Sequence, residues 1–192
     1  DRSPSRGLGD VYKRQLDMVE EIFELSKASS GHLPMKRETI DIGRLLEQTL
    51  GEMDEDLCAS GFQLKKDYPL TGMLVLCDGL HMHRVFQNLF DNALKYACPQ
   101  TRIFIHASQR SDQFCEIRIR NTSRVPLDFD PEEITKRFVR GEKARTGEGS
   151  GEGSGLGLAI AKTYTESCGG QFHIVIEDDC FIAVICLPSI TS

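Results

Sequence analysis

A glycine- and serine-rich run at residues 147–157, GEGSGEGSGLG, passes without a break into the apolar segment LAIAK. Composition alone favours a flexible linker for such a repeat. Here, however, Gly155 and Gly157 open a predicted helix at about residues 156–167, which a Gly-Gly pair then stops. Because the N–H groups at a helix N-terminus are unpaired and carry partial positive charge, this junction is suited to holding a phosphate group.

The residues beside this run exclude two common phosphate-binding loops. A dinucleotide-binding fingerprint needs a hydrophobic strand directly before its glycines, whereas residues 137–146, RFVRGEKART, are basic and polar. A P-loop is excluded because no Gly-Lys-Ser/Thr follows the glycines. Arg140, Lys143 and Arg145 place positive charge next to the run, which favours an anionic ligand. The tandem GEGS lengthens the loop at a cost of only about a few tenths of a kcal/mol.

Residues 80–97 predict a long amphipathic helix. One side of it is apolar, and Arg84, Asn88, Asn92 and Lys95 fall together on the other side. Two amide oxygens one turn apart can both reach one Mg²⁺, which accepts neutral oxygen ligands when phosphates supply the remaining charge. Lys95 would then meet a phosphate oxygen. The alternative is that these are ordinary solvent-facing residues of an amphipathic helix.

The rest of the chain predicts an α+β fold, a two-layer sandwich with a mostly antiparallel mixed sheet and helices on one face. Three pairs of strands are adjacent in sequence: 62–69 with 72–78, 102–109 with 114–121, and 171–177 with 180–188. Residues 35–42 predict a further strand, Asp41 is the expected cap of the helix that follows it, and residues 130–138 predict a short helix capped by Asp130.

Charge and cysteine content narrow the class of protein. The 192 residues carry a net charge of −6 without a long basic block, so we expect no nucleic-acid partner. Seven cysteines with no C-x-x-C pair argue against a disulfide framework or zinc site and favour a reducing, cytoplasmic setting. The longest apolar run, eight residues before Pro188, is too short to cross a bilayer. Residues 1–15 lack periodicity, and we expect them to be a non-native leader.

Three segments together resemble a known family. NLFDNALKY, RFVRG and GEGSGLGLAIAK, in that order and spacing, are similar to the N, F and G2 boxes of the ATP-binding catalytic domain of sensor histidine kinases. That domain has the Bergerat-type ATP-binding fold and belongs to a superfamily that includes gyrase and the mismatch-repair ATPases. The resemblance covers about residues 33–190, and residues 16–31 resemble the end of the second helix of the dimerisation and phosphotransfer domain.

The resemblance implies ATP and Mg²⁺ as cofactors and assigns roles along the chain. Asn88 and Asn92 would hold Mg²⁺ against the triphosphate, Lys95 would contact a phosphate, and Tyr96 would flank the adenine. The remaining roles are a lid anchored by Phe138, a γ-phosphate contact from Arg140, and phosphate-side backbone at Gly153, Gly155, Leu156 and Gly157. Tyr96 as a half-buried helix residue and Phe138 as plain core are the alternatives.

The adenine box departs from the family pattern. The family has an acidic residue followed by two spaced glycines, whereas residues 120–127 read RNTSRVPL, with Asn121 in the place of the carboxylate and neither glycine present. An amide oxygen still accepts a hydrogen bond from the adenine amino group, but replacing a charged acceptor lowers its contribution from about 1.5–3 to roughly 0.5–1.5 kcal/mol. We therefore expect weakened ATP affinity.

None of the five histidines, at positions 32, 81, 83, 106 and 173, fits the family's phosphoacceptor, which stands before an acidic residue on a helix. We predict that the chain binds Mg-ATP but does not label itself on histidine. The implied partners are a histidine-bearing dimerisation domain of the parent kinase and a response regulator, and the parent is expected to be a membrane-anchored homodimer. The alternatives are a degenerate nucleotide-sensing or scaffolding module and a hydrolytic ATPase, the latter disfavoured because Asp91 points off the Asn88 stripe.

Overall fold

The computed structural model describes residues 34–110, 113–136 and 155–190, together with residues 19, 22, 23 and 25–27. The chain divides into two compact units, Asp1–Pro34 and Met35–Ser192. In the first unit the described residues between 19 and 27 are helical, as the pattern of this segment predicts, and Pro34 is not helical. Three of its apolar side chains are exposed: Val19, Ile22 and Phe23.

The second unit contains seven strands, four helices and one 3₁₀ turn among its described residues. In chain order these are β1 (Glu38–Asp41), α1 (Ile42–Glu52), α2 (Asp54–Ala59), β2 (Gln63–Asp67), β3 (Leu74–Cys77), α3 (Gly79–Tyr96), β4 (Arg102–Gln109), β5 (Phe114–Thr122), the 3₁₀ turn (Glu133–Thr135), α4 (Gly157–Ser167), β6 (Gln171–Glu177) and β7 (Cys180–Pro188).

Five strands form one mixed sheet in the order β2-β4-β5-β7-β6, and β1 with β3 forms a separate two-stranded sheet. Only the β2–β4 pair is parallel, and the other three pairs of the large sheet are antiparallel. The predicted α+β fold with a mostly antiparallel mixed sheet is therefore confirmed. The hairpins 102–109 with 114–122 and 171–177 with 180–188 are confirmed as well, and Asp178 in the tight turn of the second has a φ of 54°.

The prediction that β2 and β3 pair with each other is wrong. β2 lies parallel to β4, and β3 lies antiparallel to β1. The short connection between β2 and β3 favours a hairpin, but contacts with other elements keep the two strands in different sheets. Lys66 Nζ and the Tyr68 hydroxyl each lie 2.7 Å from a Glu47 carboxylate oxygen on α1, and Gly72 N donates to Asp41 Oδ2 over 2.7 Å. These bonds direct the chain from the large sheet to the small one.

The large sheet buries one face against the helices. Along β5, Cys115, Ile117 and Ile119 are buried, whereas Arg118 and Arg120 point to the other face and are exposed. β7 is different because it is buried on both faces, which explains why its sequence reads as a continuous apolar run instead of an alternating one. From α3 the core receives six side chains: Met82, Val85, Phe86, Leu89, Phe90 and Ala93.

The predicted helix at residues 130–138 is shorter in the structure. Asp130 Oδ1 accepts a hydrogen bond from Glu132 N over 2.8 Å, as a cap would, but the turn that follows is a 3₁₀ turn of three residues. This turn contacts the second unit's last helix, α4, and Thr135 in the turn is buried at 6% exposure. Residues 137 and 138 lie outside the described residues.

Candidate functional site

Helix α3 is fixed at its start by Asp78. Its Oδ1 accepts hydrogen bonds from Leu80 N and His81 N over 3.0 and 3.1 Å, and its Oδ2 accepts one from Lys36 N over 2.8 Å. Burial raises the pKa of Asp78, but these backbone N–H groups outweigh it and hold the pKa below its ordinary value. The ionised carboxylate therefore caps α3 and ties it to the segment before β1.

The polar side of α3 lies between the core and solvent. Asn88, Asn92 and Tyr96 are half-buried, and Lys95 is exposed in the last turn, where a cation complements the helix dipole. Asp91 is exposed outside this stripe. The predicted separation of an apolar and a polar face is thus confirmed for the helix.

Gly157, the first residue of α4, lies against this polar side. Gly155 has a φ of +72°, which favours glycine, and Leu156 is fully buried. A Cβ built on Gly157 would lie 3.3 Å from Asn88 Oδ1. The structure therefore brings together the amide stripe and the glycine-rich helix start, two features that are about 70 residues apart in sequence.

A buried amide and the start of a helix meet at this point. Asn88 Nδ2 is buried and has no hydrogen-bond partner within the described part of the chain. The N-cap residue of α4 is Leu156, whose apolar side chain makes no capping hydrogen bond. A buried unpaired amide next to the start of a helix is a site that a polar ligand would complete.

The chemistry of these donors fits a magnesium-bound polyanion. Rotation of the Asn88 amide by 180° exchanges its oxygen and nitrogen, so the orphaned position can present an oxygen to a cation or an N–H to a phosphate. No group of three His, Cys, Asp or Glu side chains among the described residues is arranged to hold a metal ion. A cation held here would therefore depend on neutral amide oxygens together with anionic oxygens of the ligand itself.

Asn121 lies at the other end of the same face. It is 3% exposed, shares the buried side of β5 with Ile119, and donates through Nδ2 to Thr122 O over 3.4 Å. Backbone hydrogen bonds join the end of α3 to the segment after β5, namely Cys98 N to Thr122 O at 2.8 Å and Arg124 N to Tyr96 O at 3.0 Å. These bonds hold the C-terminal end of α3, with Tyr96, beside the C-terminal end of β5, which carries Asn121.

Several predicted site residues lie outside the described residues. They are Phe138, Arg140 and Gly153, together with the neighbouring cations Lys143 and Arg145. Their roles remain predictions.

Sequence reasoning did not identify the direct approach of Gly157 to Asn88. The sequence feature that could have indicated this contact is the pair Gly155 and Gly157, because glycine at a helix start allows another group to approach the backbone closely. Which group it meets depends on tertiary packing of α4 on α3.

Comparison with known proteins agrees with this geometry. Residues 77–189, more than half of the chain, match the family described as "Histidine kinase-, DNA gyrase B-, and HSP90-like ATPase". The chain belongs to this ATPase family. The matched residues of this ATPase domain begin at the end of β3 and include α3, the whole glycine-rich run and α4.

Curated relatives of the ATPase domain are sensor kinases. The adaptive-response sensory kinase SasA of Synechococcus elongatus is 32% identical over 133 residues, covering 69% of this chain and 34% of that protein. The signal transduction histidine-protein kinase BaeS of Escherichia coli is 29% identical, with 67% of this chain and 27% of that protein covered. The chain thus spans about a third or less of the length of these two relatives.

Solved structures share the fold of the ATPase domain. The Acinetobacter baumannii histidine kinase AdeS superposes with a TM-score of 0.81 at 20% identity, covering 100% of this chain and 86% of that chain. The catalytic domain of histidine kinase ThkA superposes with a TM-score of 0.68 at 17% identity, covering 80% and 96%. The predicted membership in the histidine kinase group of ATPases is confirmed. Among the described residues, no helix has both the length and the apolar character needed to span a bilayer.

Proposed function

We propose that residues 35–190 bind Mg-ATP and act as the catalytic domain of a two-component sensor histidine kinase. The γ-phosphoryl group would pass to a histidine on a dimerisation domain supplied from outside residues 1–192. The observation that carries this proposal is the buried, unpaired amide of Asn88 beside Gly157, the first residue of α4. The family membership supports ATP as the nucleotide.

Within this proposal each described site residue has one task. Asn88 and Asn92 hold Mg²⁺, which when bound neutralises charge on the phosphate oxygens. Lys95 binds a phosphate oxygen from the exposed end of the stripe, and the N–H groups at Gly155, Leu156 and Gly157 face the phosphates. Tyr96 and Asn121 flank and bind the adenine. Phosphoryl transfer then depends on positioning and charge neutralisation more than on acid–base chemistry.

Phe138, Arg140 and Gly153 complete the proposal, with Gly153 as part of the phosphate-side backbone beside a lid over the triphosphate. Arg140 would approach the γ-phosphate, and Phe138 would anchor the lid. The partners that follow from the proposal are the dimerisation domain of a homodimeric, membrane-anchored parent kinase and a response regulator that receives the phosphoryl group.

Titration with a fluorescent ATP analogue tests nucleotide binding. We expect the chain to bind the analogue in the presence of Mg²⁺ and to bind it at least tenfold more weakly when EDTA removes the cation. Asn92→Ala should lose the Mg²⁺ dependence without loss of fold. Asp91→Ala, an exposed residue of the same helix outside the stripe, is the matched control and should bind as the wild type does.

Reconstitution tests the transfer step. The chain alone, incubated with γ-labelled ATP, should not become labelled, whereas a dimerisation domain from a related kinase added in trans should acquire an acid-labile label. Asn92→Ala should abolish that label. Acid-labile label on the chain alone, or unchanged transfer by Asn92→Ala, would contradict the proposal.

A second candidate function is a nucleotide-sensing or scaffolding module without transfer activity. The observation that favours it is the neutral, buried Asn121 in place of a carboxylate. The titration and the reconstitution together distinguish the two candidates. A sensing module should bind the ATP analogue in a Mg²⁺-dependent way but should transfer no label to an added dimerisation domain.

A further inference from the structure

The face of the large sheet that points away from the helices carries an exposed aromatic side chain. Phe104, in the middle of β4, is 43% exposed, whereas its neighbours Ile103 and Ile105 are fully buried on the helix side. Among the described residues of this face, no other phenylalanine or tyrosine is exposed. An exposed ring in the centre of a strand leaves apolar area in water, which contact with another molecule would bury.

Basic side chains stand around Phe104 on four sides. Lys65 on β2 and Arg120 on β5 are its direct partners in the neighbouring strands, so both share its face at a strand spacing of about 4.8 Å. Along β4, Arg102 and His106 stand two residues before and after it on the same face, at roughly 6.5 Å. These five residues form the Phe104 patch, an apolar centre enclosed by basic groups.

The positive charge of the Phe104 patch is only partly balanced by neighbouring acidic groups. Asp67 Oδ2 lies 2.8 Å from His106 Nδ1, and Glu177 Oε2 lies 4.0 Å from Arg120 Nη1. The other two basic residues of the patch have no ion pair within the described part of the chain. The patch therefore presents uncompensated positive charge, although the whole chain has a net charge of −6.

This combination favours an acidic protein segment as the partner over a nucleic acid or a membrane. Proteins that bind single strands stack successive bases on several aromatic side chains, whereas the patch has one. A polynucleotide or an anionic bilayer also extends beyond the patch, where the rest of the chain is net negative and repels it. Because charges more than about 10 Å apart are screened at 0.1 M salt, a short acidic segment interacts with the patch alone.

We propose that the Phe104 patch is a docking surface for an acidic protein segment that carries one apolar anchor residue. The anchor covers the Phe104 ring, and carboxylates on either side of the anchor pair with Lys65 and Arg102. An extended segment places alternate side chains about 6.5 Å apart, which matches the distance along β4 from Phe104 to Arg102. Aromatic and arginine side chains are the residues that contribute most to protein interfaces.

Docking on this face is separable from nucleotide binding. The patch residues of β4 alternate with Ile103 and Ile105, which point toward the helices, so the patch and the proposed nucleotide site lie on opposite sides of the sheet. Phe104→Ala should therefore bind the fluorescent ATP analogue as the wild type does, and failure of either proposal can be recognised without the other.

Fluorescence anisotropy of the full chain with labelled peptides tests the docking proposal. The probe is a fluorescein-labelled peptide of about ten residues in which one phenylalanine stands among glutamates. Two comparison peptides carry alanine in place of the phenylalanine or lysines in place of the glutamates. We expect saturable binding of the probe at low salt, at least about fivefold weaker binding of the alanine peptide, and no binding of the lysine peptide. Raising the salt to about 0.5 M should weaken probe binding by roughly tenfold.

Variants test whether the probe binds at the patch. Phe104→Ala and Arg102→Glu should each weaken probe binding by roughly tenfold or more and should fold as the wild type does, because both side chains are exposed. Leu80→Ala, which truncates an apolar side chain that is 76% exposed on α3, is the matched control for the first variant. Arg44→Glu, which changes an exposed cation on α1, is the matched control for the second. Both controls should bind the probe with wild-type affinity.

Four results would overturn the proposal. They are no saturable binding of the probe, wild-type affinity in both Phe104→Ala and Arg102→Glu, equal binding of the lysine peptide, and a preference for another class of partner. The last is measured with a short oligothymidylate and with vesicles that contain phosphatidylserine. Tighter binding of either one than of the acidic probe would assign the patch to nucleic acid or to membrane instead of an acidic protein segment.

Discussion

Replacing Gly157 with alanine tests whether the contact between α3 and α4 belongs to a ligand site. The new Cβ would stand 3.3 Å from Asn88 Oδ1 and 3.7 Å from its Cγ, so the Asn88 side chain must move by a few tenths of an ångström. Removing a helical glycine gains about 0.5–1 kcal/mol of stability. An off-rotamer Asn88 costs about 0.5–1.5 kcal/mol. The two effects nearly cancel, so the free energy of unfolding should change by less than about 1 kcal/mol.

Ligand binding should respond far more strongly than stability. Mg²⁺ requires its oxygen ligands within about 2.0–2.1 Å, so a displaced Asn88 no longer serves the cation. Loss of one hydrogen-bond or ligand contact to a charged group costs about 1.5–3 kcal/mol, which corresponds to roughly ten- to hundredfold weaker binding of Mg-ATP. Urea unfolding and titration with a fluorescent ATP analogue measure the two quantities on the same preparation.

Gly51→Ala is the matched control for this experiment. Gly51 is an exposed residue of α1, and a Cβ built on it meets nothing within 4 Å. It should gain about 0.5–1 kcal/mol of stability and bind the nucleotide as the wild type does. Wild-type affinity in Gly157→Ala would refute the reasoning, because Asn88 would then have no part in holding the ligand.

Three further perturbations have expected outcomes. Asn121→Asp should strengthen binding of the ATP analogue by roughly fivefold, because a charged acceptor contributes about 1 kcal/mol more than a neutral one; weaker or unchanged binding would remove Asn121 from the adenine site. Gly43→Ala should lower the free energy of unfolding by about 1–3 kcal/mol, since its Cβ would lie 2.6 Å from the carbonyl oxygen of Leu70, and chemical denaturation measures this against Gly51→Ala. The pKa of Asp78 is lower in the folded chain than in the unfolded one, so its contribution to stability is present above about pH 4 and is lost as the pH falls through the folded value; urea unfolding at pH 7 and pH 3 should show a smaller difference in Asp78→Asn than in the wild type.

Local patterns were sufficient to predict α3 and its two faces. Apolar residues at helical spacing put Phe86 and Phe90 in the core, and the same periodicity put Asn88 and Asn92 on the opposite side. The hairpin of β4 and β5 was predictable for a similar reason, because alternation and a short connection both act within about 20 residues.

Strand pairing over longer distances was not predictable in this way. β2 and β3 are close in sequence but do not pair with each other. β2 pairs with β4, which comes after α3 in the chain, and β3 pairs with β1, which comes before α1. The bonds that decide this, from Glu47 to Lys66 and to Tyr68, join residues about 20 positions apart that no periodic pattern connects. For the same reason, the approach of Gly157 to Asn88 became visible only in three dimensions.

β2 is an edge strand of the large sheet, and this position bears on whether copies of this chain aggregate at high concentration. An edge strand exposes backbone N–H and C=O groups, to which a strand of another chain can pair. β2 is only five residues long, and Lys65 and Lys66 stand next to each other in its middle. Successive side chains of a strand point to opposite faces and Lys66 is paired with Glu47, so joining two such edges would bring the Lys65 ammonium groups of the two copies to one face. This short, lysine-bearing strand therefore opposes edge-to-edge aggregation.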